Sequence, residues 1–133
     1  MGRLSPHIHA TAIVSADADL AADVRIGPFC LVERRVRLGP GCVLRPGAHL
    51  VGPLAMGEGN LICATARIGG PPQDLGFVGS DSEIVIGDRN TFRESVTVHG
   101  ASKPNGVTRI GNGDYFMPGS ACGAVVLCSG VRV

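Results

Sequence analysis

One six-residue period governs this chain. Starting at Ile8, every sixth residue is apolar: Ile8, Val14, Leu20, Ile26, Val32, Leu38, Leu44, Leu50, Met56, Ile62 and Ile68. The residue that follows is small or polar in most repeats, with Gly at 27, 39, 57 and 69. The fourth residue after each apolar one is mostly small or aliphatic, as in Ala12, Ala18, Val24, Cys30, Val36, Cys42, Ala48, Leu54 and Ala66. A helix of 3.6 residues per turn drifts off such a comb within two turns, and a simple two-residue strand pattern keeps Gly and Pro out of its interior. The pattern fits a solenoid in which each hexapeptide supplies one short strand and one corner, so that three close a triangular coil of about eighteen residues. The fold class read from the comb is therefore all-β, a parallel β-helix. Its apolar residues point inward and stack from coil to coil, and the glycine after each is expected to take a positive φ at the corner.

The composition agrees with a narrow interior: 20 Gly and 9 Pro stand against one Tyr, four Phe and no Trp, so stacked aliphatics replace the aromatics that usually fill a core. At 133 residues, a single domain spanning 1–133 is expected. The comb breaks at Asp74 and Ser80, resumes at Ile86, Phe92 and Val98, breaks at Pro104, and resumes at Ile110, Phe116, Cys122 and Cys128. Two excursions are expected, over about 70–83 and 100–106, and loops on a rigid scaffold are where chemistry is usually placed. The net charge is +1 with basic residues spread along the chain, which gives no case for nucleic acid. No stretch of about eighteen apolar residues and no leader-like amino terminus is visible, so no membrane insertion and a cytoplasmic location are expected. Five cysteines form no Cys-x-x-Cys pair, and Cys30, Cys42, Cys122 and Cys128 fall on apolar phases, so they read as core thiols and no metal is expected.

The comb resembles that of the left-handed parallel β-helix acyltransferases, which assemble as trimers. The pattern itself does not set the hand, and the general rule for parallel crossovers favours a right-handed one; the left hand is what the resemblance implies. Two blocks are more specific: Ile68-Gly-Gly-Pro-Pro-Gln-Asp-Leu-Gly-Phe77, and Ile86-Gly-Asp-Arg-Asn-Thr-Phe-Arg-Glu-Ser-Val-Thr-Val-His99. Both resemble the acyl carrier protein–UDP-N-acetylglucosamine O-acyltransferases of lipid A synthesis. The likeness also takes in Ile26-Gly-Pro-Phe-Cys30 and Val107-Thr-Arg-Ile-Gly111, and runs to about Met117. It implies transfer of a fatty acyl group, often 3-hydroxylated, from acyl carrier protein to the 3-hydroxyl of UDP-N-acetylglucosamine, without a cofactor, at a site between the subunits of a homotrimer. It also implies a histidine base, which suits a sugar hydroxyl that must lose its proton during attack at neutral pH.

By position, Gln73 and Asp74 match the family loop that contacts the nucleotide sugar, where a carboxylate accepts hydrogen bonds from sugar hydroxyls. From the residues alone, Asp74 reads as the organiser of its own turn after Pro-Pro. His99 matches a family histidine that lines the cleft, whereas His7, His9 and His49 read as structural or exposed. The chain also departs from the pattern. Ala121 and Ala124 stand where an Ala-His-x-Ala-His-Asp-Cys motif places two histidines, the second being the general base. Gly76 stands where a lysine is usual, and Gly100 where an Arg follows the histidine. No catalytic residue is therefore named, and the implied activity is expected to be impaired. The alternative is a non-catalytic β-helix scaffold that keeps the nucleotide-sugar loop. A zinc carbonic anhydrase on the same solenoid would need histidines spaced across adjacent coils, and the four here lack that spacing. Family members continue past the position of Val133 with more coils and a helical part. Read one base later, codons for Ala121-Cys122-Gly123-Ala124 can encode His-Val-Ala, so a shifted reading frame is one account of the break.

Overall fold

The computed structural model describes residues 5–70, 82–101, 106–123, 126, 127, 130 and 132. The first two coils hold β1 (His7–Ile8), β2 (Ile13–Val14), β3 (Asp19–Leu20), β4 (Arg25–Ile26), β5 (Leu31–Val32) and β6 (Val36–Leu38). The next two hold β7 (Val43–Leu44), β8 (His49–Leu50), β9 (Leu54–Met56), β10 (Leu61–Ile62), β11 (Arg67–Ile68) and β12 (Glu83–Ile86). The last two hold β13 (Thr91–Phe92), β14 (Thr97–His99), β15 (Val107–Ile110), β16 (Tyr115–Phe116), β17 (Ala121–Gly123) and β18 (Val126–Leu127). Every third strand joins the same sheet, always in parallel. The first sheet runs β1-β4-β7-β10-β13-β16, the second β2-β5-β8-β11-β14-β17 and the third β3-β6-β9-β12-β15-β18.

The comb residues face inward as expected. Ile26, Val32, Leu38, Leu44, Leu50, Ile62, Ile68, Phe92, Val98 and Phe116 are buried in one continuous core, and the Phe92 and Phe116 rings stack at 4.7 Å and 9°. The fourth-position residues Val24, Cys30, Val36, Cys42, Ala48, Leu54 and Ala66 share that core. The thiols of Cys30 and Cys42 donate to the carbonyls of Arg45 and Gly57, so these cysteines are packing groups whose polar atom is satisfied. At the amino-terminal end the cover is thinner, with Ile8 half exposed.

Of the four glycines expected to take a positive φ after the inward residue, Gly69 does, at φ +103, and Gly27, Gly39 and Gly57 do not; in most coils the left-handed conformation falls two residues later, at Phe29, Arg35, Gly41, Gly47, Gly59, Thr65, Arg89, Ser95, Gly113 and Gly119. What requires glycine at position 39 is closeness: a Cβ there would lie 2.6 Å from the carbonyl oxygen of Gly57 in the next coil. The corner stacks backbone on backbone, and any side chain would push two coils apart.

The inward fourth position also carries polar groups that the comb conceals. Asn60 donates from Nδ2 to the Gly87 carbonyl (2.8 Å) and accepts the Asn90 N–H (2.9 Å). Asn90 repeats this one coil on, donating to the Gly111 carbonyl (2.8 Å) and accepting the Asp114 N–H (2.7 Å). Asn60, Asn90 and Asp114 are buried, so the amide ladder satisfies backbone groups that water cannot reach.

The register measures each corner. Strands of the first three coils pair at the eighteen-residue spacing of the repeat, as in His7 with Arg25 and Leu31 with His49. Between the second and third sheets the length changes: Leu50 to Met56 is one repeat, but Ile68 to Ile86 is three and Val98 to Ile110 is two. Both excursions thus leave from the same corner in adjacent coils. In the sixth coil that corner is one residue short, because Leu127 and not Cys128 stands opposite Ile110. The repeat then continues: Gly130 has φ +80, its N–H bonds the Asn112 carbonyl, and Arg132 bridges Tyr115.

Candidate functional site

The corner between the second and third sheets gathers the features singled out in the sequence. Strand β11 ends in Gly69 and Gly70, with φ +103 and +108, values that only glycine adopts without strain. The chain returns at Ser82 into β12. One coil further, β14 ends in His99, and Gly100 donates its N–H to the Gly70 carbonyl at 3.2 Å. The Thr108 hydroxyl donates to the His99 carbonyl (3.1 Å), and the Glu83 N–H to the Gly106 carbonyl (3.1 Å). These bonds fasten the bases of the two excursions to each other.

His99 is half-buried at this junction and pairs in register with Gly123. Of the expected site residues it is the one whose position is described; Gln73 and Asp74 lie outside the described residues, as does Ala124. Ala121, the other position expected to carry histidine, is the first residue of β17 and faces out of the second sheet.

Two features here were not foreseen. His49, read as structural or exposed, pairs through Nε2 with the Glu33 carboxylate at 2.7 Å, two coils below His99. Arg67, in register between His49 and Thr97, turns its guanidinium under Gly70, where a Cβ would lie 3.1 Å from the Arg67 Nη2. The signal that could have found both was the eighteen-residue spacing, which aligns His49 with Arg67 on one outer face.

A separate cluster occupies the corner between the first and second sheets. Arg93 donates from Nε to Glu94 Oε1 (2.8 Å) and from Nη1 to the Tyr115 hydroxyl. The Arg93 hydrogen bond holds the Glu94 carboxyl down at about 2. Burial raises the neighbouring Cys63 thiol, and the Glu94 charge raises it further. Burial also pushes Cys122 up to about 11. Such thiols are protonated at neutral pH and make poor nucleophiles.

Three parallel sheets wound from hexapeptides, with loops at a single corner, define the class as a parallel β-helix of the hexapeptide-repeat type, and its likeness to the solved structures below makes it left-handed. No family profile matches the sequence. An acyl-[acyl-carrier-protein]–UDP-N-acetylglucosamine O-acyltransferase of Syntrophobacter fumaroxidans is 40% identical over 111 residues, which are 83% of this chain and 43% of that protein. One of the same description from Polynucleobacter asymbioticus is 44% identical over 111 residues, 83% of this chain and 42% of that protein. Among solved structures, LpxA from Acinetobacter baumannii superposes with a TM-score of 0.83 at 33% identity, covering 86% of this chain and 45% of that one. LpxA from Bacteroides fragilis, a UDP-N-acetylglucosamine acyltransferase, gives a TM-score of 0.88 at 32% identity, covering 95% of this chain and 50% of that one. The chain belongs to the acyl-[acyl-carrier-protein]–UDP-N-acetylglucosamine O-acyltransferase family, and it spans less than half the length of the curated relatives it matches.

Proposed function

We propose that this chain carries the nucleotide-sugar half of an acyltransferase site of lipid A synthesis, set at the corner between the second and third sheets. In the reaction, the 3-hydroxyl oxygen of UDP-N-acetylglucosamine attacks the thioester carbonyl of a (3-hydroxy)fatty acyl group on acyl carrier protein. A C–O bond forms, the C–S bond breaks, and the hydroxyl proton passes by way of a base to the departing thiolate. Gln73 and Asp74 on the first excursion contact the sugar, and His99 lines the cleft beside them. The observation that carries this reading is the fastening of both excursions to one corner by the Gly100–Gly70 hydrogen bond, with His99 adjacent to it.

Ala121 and Ala124 favour a reduced activity, since loss of a general base costs about 10² to 10⁴ in rate. For that reason a second reading, nucleotide-sugar binding without transfer, stands beside the first. Assembly as a homotrimer is supported by the apolar groups exposed around the corner between the first and second sheets, where Phe29 is 72% and Ile13 68% exposed, although Arg25 and Arg67 share the outer faces of those two sheets. No helix of the described residues is long and apolar enough to cross a membrane, and we place the protein in the cytoplasm with its soluble substrates.

An assay with acyl carrier protein thioester and UDP-N-acetylglucosamine decides between the readings. Turnover that His99→Ala abolishes makes His99 the working base. Binding without turnover leaves the scaffold reading. Turnover indifferent to both His99→Ala and Asp74→Ala defeats the placement of the site.

A further inference from the structure

The corner that bears His99 also bears a positive charge with no partner among the described residues. Arg67 is exposed at the start of β11, and neither a hydrogen bond nor an ion pair engages its guanidinium within the described part of the molecule. Arg37 is committed to Asp19 at 3.2 Å, Arg89 to Glu58 at 3.5 Å, and Arg93 to Glu94 and Tyr115; Arg25, Arg34, Arg45 and Arg109 share with Arg67 the lack of such a partner among the described residues, and of these Arg67 is the one beside Gly70. Arg67 faces out of the second sheet, and its Nη2, Cζ and Nε all lie within 3.5 Å of where a Gly70 Cβ would be. Any side chain at position 70 would therefore meet the guanidinium, and among the described residues glycine leaves its fork open at the foot of the first excursion. One strand away, about 4.8 Å, Thr97 is directly opposite in register and adds a hydroxyl to the same face. His99 stands two residues beyond Thr97 on that strand.

The geometry points to Arg67 as the anion-recognising residue of this corner, taking the phosphoanhydride of the nucleotide sugar, with Thr97 as a neighbouring hydroxyl donor. A guanidinium presents parallel N–H groups that match two phosphate oxygens, and it stays charged at every physiological pH. A phosphoanhydride carries the charge that such a fork selects, whereas the neutral sugar gains little from it. The assignment rests on the nucleotide-sugar reading above, and its test separates the two.

Calorimetric titration of wild type, Arg67→Gln and Arg37→Gln with UDP-N-acetylglucosamine and with inorganic pyrophosphate is the experiment. Arg67→Gln is expected to bind whichever phosphate ligand the wild type binds at least tenfold more weakly, with a smaller dependence on salt, while Arg37→Gln binds as wild type. Wild type that binds the nucleotide sugar no better than Arg67→Gln overturns the role of Arg67 and leaves the nucleotide-sugar reading intact. Wild type that binds pyrophosphate through Arg67 but not the nucleotide sugar keeps the anion site and removes the substrate assignment. Binding of neither ligand overturns both. Circular dichroism of each variant checks the fold; should Arg67→Gln not fold, Arg67→Lys carries the same comparison, with an expected loss of several-fold.

Discussion

Gly39 and Glu94 show how much single residues decide in a stacked coil. A Cβ at Gly39 meets the backbone oxygen of Gly57, which cannot swing away as a side chain could. Gly39→Ala is therefore expected to destabilise by about 1–3 kcal/mol, the usual range for overpacking, seen as a lower thermal midpoint. The comb marked this glycine as special but suggested the wrong reason, because sequence shows spacing and not the distance between coils. Glu94 sets the acid limit of its corner. Its carboxyl titrates at about 2 in the folded chain against 4.5 ordinarily, so the Arg93 bond adds stability that is whole above about pH 4.5. That contribution fades as pH falls through about 2. Glu94→Gln should show a shallower loss of stability than wild type between these values, measured by denaturant unfolding at a series of acid pH values.

The elements of this fold are two to four residues long, and none could stand alone; each exists because strands above and below complete its hydrogen bonds. Eleven consecutive apolar steps made these strands legible, since a strict period survives where local propensity is weak. The amide ladder was not legible, because Asn60, Asn90 and Asp114 sit at positions where earlier coils carry Val24 and Cys42, and a polar residue there looks like a lapse in the pattern. Only the structure shows that each amide caps the coil beyond it. Asn90→Ala would strand the Gly111 carbonyl and the Asp114 N–H inside the column. Its expected cost is about 2–6 kcal/mol, at about 1–3 for each buried group left unpaired, read from equilibrium unfolding. A loss near zero would mean that water reaches the ladder.

At the scale of the whole molecule the three faces differ in what they offer. Phe29 at 72%, Ile13 at 68% and Met117 at 54% exposure all belong to the first two sheets or the corner between them. For the proposed homotrimer, Phe29→Asp is expected to leave the column folded by circular dichroism and to shift its mass in analytical ultracentrifugation from trimer to monomer; an unchanged trimer removes this corner from the subunit contact, and a monomeric wild type removes the trimer. The candidate site was legible only as far as the comb broke. The breaks located both excursions, but period alone could not say that they share an edge, nor that Arg67 turns toward it. The five-residue step from Cys122 to Leu127 was not legible for a simpler reason, since Cys128 is itself apolar and keeps the six-residue count intact.

Gains of two repeats and of one, and a loss of a single residue, all fall along the same seam of the prism, while its other two seams keep strict time. Such a column can be edited along one line without retuning the rest. What lies against that line, and so what the protein recognises, is free to change while the wound body behind it stays the same.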